Sequence, residues 1–137
     1  MGAQTGITPS GGADGNTGFV IWAEEAAQLN ANSFEWAFGN GDNSQANFGM
    51  VIPVDAYLTH LSLNINNGIA ASVRAVRDGV AIGAVVTADI ANNNGAAVFE
   101  LPTPVFFPAG SNVNFQTIST TGTVGNGGKV AARFIED

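Results

Sequence analysis

The chain has 137 residues, 45% hydrophobic and only 11% charged, with 18 Gly and no Cys. That is enough for one domain with a real core, and it excludes disulfide, thiol and iron–sulfur chemistry. Its 11 acids against 4 bases give a net charge of −7, which argues against nucleic acid or an anionic membrane as partner, because both are held by cationic surfaces.

No apolar run approaches the roughly 18 residues of a membrane span, and the first residues lack the basic start and apolar stretch of a secretory signal. Synthesis in the cytoplasm is the expectation. Gly6 stands where a myristoylation pattern needs Ser or Thr. The acids are concentrated early: residues 1–73 carry six acids and no base, and residues 74–137 carry five acids and four bases. The first part of the chain therefore faces solvent or a basic partner.

Residues 1–18 have six glycines, one proline and a single large aliphatic side chain, Ile7. They cannot build a core of their own and read as an extended arm preceding a domain over 19–137. Ordering such an arm would cost on the order of 20–35 kcal/mol of backbone entropy, so a partner surface is expected to hold it. Thr5, Ile7 and Pro9 are its candidate contact residues.

From Phe19 onward, short β-branched and aromatic runs alternate with Gly, Asn, Asp and Pro, the pattern of an all-β sandwich or barrel. The predicted strands cover residues 19–23, 33–38, 48–54, 57–66, 71–77, 80–87, 97–101, 112–119 and 129–135. In the third, Phe48, Met50, Ile52 and Val54 alternate with smaller residues; in the fourth, Tyr57, Thr59, Leu61, Leu63 and Ile65 face one way. Asp78-Gly79 is the favoured pair for a two-residue hairpin turn. Residues 24–29 have helix-forming composition but suffice for no more than a turn. Pro102, Pro104 and Pro108 restrict their segment to an edge or crossover strand. Residues 92–95 and 121–128 read as exposed loops.

The search for chemistry is mostly negative. His60 is the only imidazole, and no Gly-x-Ser-x-Gly elbow accompanies it, so a nucleophilic triad has no support. A zinc site would need three further ligands drawn from carboxylates. Glu24, Glu25, Glu35, Asp42 and Asp55 could in principle supply the carboxylate pair of a glycosidase, but a solvated surface role is the simpler reading of each. The glycine-rich segment holding Asn40 and Asp42 offers oxygen donors without calcium-loop spacing, and the segment before Lys129 lacks the first glycine of a phosphate loop. No catalytic residue, metal or cofactor is expected. Phe34, Trp36 and Phe38 share one face at period two; core packing is the default reading of each aromatic, and with Trp22 these three are the candidates for an interface instead.

Residues 36–41, 51–54, 61–63, 73–79 and 108–117 carry a resemblance. In that order they are similar to the small jelly-roll modules of tailed-bacteriophage virions: capsid decoration proteins, head-fibre knobs and tail-fibre tips. The resemblance covers residues 33–135 and implies a jelly-roll β-sandwich that forms a homotrimer and has no catalytic residues. A trimer would also protect open sheet edges. The expected role is a non-enzymatic structural virion protein, a decoration or cement protein on the outer capsid. Its arm would lie along the major capsid protein or another virion protein and stiffen the shell. The alternative is a receptor- or glycan-binding tip using the loops that contain Asn40, Asp42, Asn93 and Asn126.

Overall fold

In the computed structural model, residues 17–38 and 48–137 are described. The expected contact residues Thr5, Ile7 and Pro9 and the expected loop ligands Asn40 and Asp42 lie outside these residues, as does all but the last part of the arm. Eight strands form: β1 (Gly18–Glu25), β2 (Met50–Val51), β3 (Ala56–Ile65), β4 (Ala70–Arg77), β5 (Val80–Asp89), β6 (Ala96–Phe107), β7 (Asn112–Thr121) and β8 (Gly128–Glu136). They make two four-stranded sheets, ordered β1-β8-β3-β6 and β2-β7-β4-β5, with every pairing antiparallel. This is a jelly-roll β-sandwich: all-β as the strand pattern predicts, and a jelly roll as the resemblance implies.

Alternation decides which side chains meet between the sheets. The first sheet sends in Leu58, Leu61, Leu63, Val130, Ala132 and Phe134, and the second sends in Val73, Ala75, Val86, Ala88, Val113 and Phe115, all buried. Phe134 stands at the centre of an aromatic group, stacked on Phe19 at 5.2 Å and edge-on to Phe107 at 5.1 Å. At full burial a side chain of this size is worth roughly 1.5–3 kcal/mol, so these layers hold the two sheets together.

Three predicted elements differ from what forms. Residues 33–38 are not a strand: they belong to a strap over 26–38 that crosses from one sheet to the other. Among the described residues its bridges are Ala37 to Glu24 on β1 and Ser33 to Thr117 on β7. The predicted strand at 48–54 shrinks to β2, because Pro53 has no N–H to donate and the paired segment ends before it. The predicted strand at 97–101 runs on to Phe107. Its pairing passes from His60–Glu100 directly to Leu58–Val105, so Leu101, Pro102, Thr103 and Pro104 bulge opposite Thr59. Because β6 is an edge strand, prolines in a bulge cost no interior ladder bond.

The loop expected at 92–95 instead contributes to one helical turn, α1 (Ile90–Asn93). Asp89 caps it by accepting from the N–H groups of Ala91 and Asn92, and Asn94 closes it in the left-handed conformation at φ 56°.

Candidate functional site

The two outer faces of the sandwich differ in chemistry. On the second sheet, the Ser72 and Thr87 hydroxyls share a hydrogen bond of 2.7 Å, and Arg74 Nε donates to Gln116 Oε1 at 2.8 Å. These groups satisfy one another beside solvent, as a free face should.

The outer face of β1-β8-β3-β6 is built differently. The strand register lines up side chains in rows that cross all four strands. One row runs Trp22, Ala131, Ser62, Val98, and another runs Gly18, Ile135, Tyr57, Phe106. Trp22 is 53% exposed and Val98 72%. The rings of Tyr57 and Phe106 lie 5.3 Å apart and tilted. Between these rows lies Val20, Arg133, His60, Glu100, and beyond them lies Glu24, Lys129, Asn64, Ala96. Glu24 and Lys129 form a loose exposed pair at 3.9 Å, which adds little stability. Apolar rows alternating with a thin charged row, on one contiguous face, have the make-up of an interaction surface.

A second apolar feature lies along the flank where β1 and β2 end their respective sheets. A groove of ≈ 410 Å³ runs between Phe19, Val20, Ile21 and Trp22 on one side and Met50, Val51, Ile52 and Pro53 on the other.

Among the predicted interface aromatics, only Trp22 is open to a partner. Trp36 is fully buried, and its indole N–H donates to Thr117 Oγ1 at 3.1 Å. This corrects its assignment to an interface: the strap turns the ring into the core, where it fills the end of the sandwich. Phe38 is half-buried and stacks on Phe115 at 5.8 Å. Phe34 is half-buried beside buried Glu35.

Of the predicted loop ligands, Asn93 and Asn126 are among the described residues, and they lie in separate loops. Asn93 spends its side chain on its own turn, with Oδ1 accepting from the Asp89 N–H at 2.8 Å. Asn126 is exposed and lines a polar cleft of ≈ 270 Å³ with Glu24, Glu25, Asn64, Asn66 and Lys129. Val98, Tyr57, Phe106 and Ile135 were missed by the sequence reading. Their signal was the alternation itself, which fixes two faces per strand without saying which sheet's outer face will be apolar.

The carboxylates serve local structure. Asp55 accepts from the Ala109 N–H at 2.7 Å. Glu35 accepts from the Asn30 N–H at 3.0 Å and from its side-chain amide at 3.3 Å. Burial raises the Glu35 pKa above the usual carboxylate range, against the lowering effect of its hydrogen bonds from Asn30 and Thr117. His60 Nδ1 lies 2.9 Å from Thr59 Oγ1. Among the described residues, no group of three or more His, Cys, Asp or Glu could hold a metal ion, and no helix is long and apolar enough to cross a membrane.

No family model matches the sequence, and no curated protein sequence matches it. Among solved structures, the chain is similar to the globular domain of the zebrafish complement 1qA protein. The TM-score is 0.46 at 16% sequence identity, over 85% of this chain and 94% of that one.

Proposed function

We propose that this protein is a non-enzymatic structural module of a virion surface that works as a homotrimer through the outer face of β1-β8-β3-β6. The observation that carries self-association is the pair of apolar rows on that face, set against the polar outer face of the second sheet. The virion setting is supported by the resemblance of residues 33–135 to phage surface jelly rolls.

The size of the face favours a ring over a flat pair. Four strands about 4.8 Å apart and some 26 Å long present roughly 500 Å², whereas a standard interface takes about 800 Å² from each partner. A face stacked on its own copy falls short. In a cyclic arrangement each copy offers the face to one neighbour and another surface to the next, and three copies are what the resemblance to phage jelly rolls implies.

The test is the solution mass of the purified protein, by sedimentation velocity or light scattering. A trimer that becomes a folded monomer in Val98→Asp supports the reading, and a wild-type monomer at tens of micromolar overturns it. For the virion setting, mass spectrometry of purified particles should find the protein in stoichiometric amounts; its absence from particles would remove that part.

A further inference from the structure

At one corner of the outer face of β1-β8-β3-β6, the row that begins with Trp22 adjoins the row that begins with Glu24. We propose that this corner binds a neutral saccharide, with the Trp22 indole as the stacking platform and Asn64, Lys129 and Glu24 bonding its hydroxyls.

Strand register assembles the parts. Trp22 and Glu24 on β1, Ala131 and Lys129 on β8, and Ser62 and Asn64 on β3 are successive side chains on the same face. Two residues along a strand put the rows about 7 Å apart. Ala131 and Ser62 are small, so Trp22 stands beside a hollow of ≈ 440 Å³ that they help to line. That hollow adjoins the polar cleft of ≈ 270 Å³, because Asn64 and Lys129 line both.

The polar groups of the corner are unspent. On the outer face of the second sheet, Ser72 bonds Thr87 and Arg74 bonds Gln116. Here the side-chain amides of Asn64, Asn66 and Asn126 have no hydrogen-bond partner among the described residues, and Lys129 reaches Glu24 only at 3.9 Å. An amide offers both a donor and an acceptor, as a sugar hydroxyl does, so each can exchange bonds with hydroxyls on neighbouring carbons. An exposed aromatic beside a few convergent polar groups is the make-up of a small-molecule site.

Charge and shape select the class of ligand. Glu24 and Glu25 line the cleft and the chain carries −7, which disfavours a phosphate, a sulfate or an acidic sugar; Lys129 disfavours a cation. A neutral pyranose presents an apolar face of C–H groups to the indole and a rim of hydroxyls to the amides. Asn64 is two strands and two residues from Trp22, about 12 Å between Cα atoms, which accommodates two or three sugar rings. The inference stands apart from self-association, yet the two share Trp22: a copy seated on this face would cover the platform, so saccharide and neighbour compete for it.

The experiment is an NMR titration of the full-length chain with four neutral tetrasaccharides: cellotetraose, maltotetraose, mannotetraose and chitotetraose. It is run on the wild type and on Phe106→Asp, which removes an apolar residue of the face outside both hollows and so keeps the platform uncovered. Saturable shifts of the Trp22 indole N–H and of the Asn64 and Lys129 amides, with Kd of about 1 mM or tighter for one of the four in either protein, support the proposal. Trp22→Ala and Asn64→Ala should each weaken that binding about tenfold, and Trp22→Phe, which keeps a ring, should hold it within about threefold. Both positions are exposed, so these variants should keep the wild-type urea midpoint. No binding of any of the four by either protein, shifts confined to other residues, or binding unchanged in Trp22→Ala overturns it. The solution mass decides self-association separately: a monomeric wild type that binds the sugar would remove the trimer and leave this site standing.

Discussion

At Thr117 three hydrogen-bonding demands meet. Its backbone exchanges bonds with Ser33 at 3.0 and 3.1 Å, its hydroxyl oxygen accepts the Trp36 indole N–H, and the hydroxyl also bonds the Glu35 side chain. This one residue therefore ties the strap to β7 and satisfies the buried polar atom of the largest core side chain. Thr117→Val keeps the shape and removes the oxygen, leaving a buried indole N–H without its acceptor. The expected cost is about 1–3 kcal/mol in urea unfolding, with little change in slope. Glu35 adds a pH dependence. Its folded pKa is raised, chiefly by burial, with Glu25 acting in the same direction, so the folded state binds the proton more tightly than the unfolded chain. Stability from this group is therefore greatest below the unfolded glutamate range and falls as pH rises from that range through the folded pKa. Glu35→Gln cannot ionise and keeps one acceptor for Asn30. Urea midpoints taken between about pH 4 and 8 should show the decline in the wild type and a flatter profile in the variant.

The elements whose periodicity is their own were legible, and those fixed by tertiary contact were not. β3 alternates on its own account from His60 to Ile65, but a register shift at Thr59 buries Leu58 and turns Tyr57 to the outer face, against the single face expected for Tyr57, Leu61, Leu63 and Ile65. The β4–β5 hairpin is set by Asp78 and Gly79, both at positive φ, 51° and 82°, as a two-residue turn of this type requires. By contrast, Phe34, Trp36 and Phe38 have strand spacing but occupy a strap, because the end of the sandwich needed a large ring and the chain crossed to supply it. The extent of β6 was illegible for the converse reason. Its prolines deny it a central position, and only the bulge opposite Thr59 shows how an edge strand absorbs them. As for the site, Trp22 was legible as a candidate, but the rows around it depend on β1, β8, β3 and β6 being neighbours, which no local pattern encodes. The strap's closure can be tested at Gly127, at φ 68°, where a Cβ would lie 1.7 Å from the Glu25 carbonyl oxygen. Gly127→Ala must push β8 away from the end of β1, and we expect a loss of more than 2 kcal/mol, above the roughly 1–2 kcal/mol that a left-handed backbone alone costs a residue with a Cβ. Gly83→Ala is the control: its φ is 82° but nothing lies within 4 Å, so it should show backbone strain alone. The comparison by thermal and urea unfolding isolates the close approach.

For the whole molecule, net charge and apolar surface oppose each other. Each chain carries −7, so three copies brought together repel, while the rows of Trp22, Val98, Tyr57 and Phe106 favour association by removing apolar area from water. The charged row between them supplies Arg133 and Glu100, which could pair across an interface, and that contribution would have the opposite salt dependence. At low ionic strength the long-range repulsion acts over about 30 Å, and near 0.15 M it is confined to about 8 Å. If burial of apolar rows drives assembly, adding salt should shift the equilibrium toward the proposed trimer, lowering the dissociation midpoint several-fold between about 0.01 and 0.3 M NaCl. If ion pairs from the charged row drove it, the same titration would release monomers. Sedimentation velocity across that range, with Val98→Asp as the monomeric reference, decides between these forces. Glu100→Gln should strengthen the trimer modestly if net repulsion dominates and weaken it if an Arg133–Glu100 contact holds copies together.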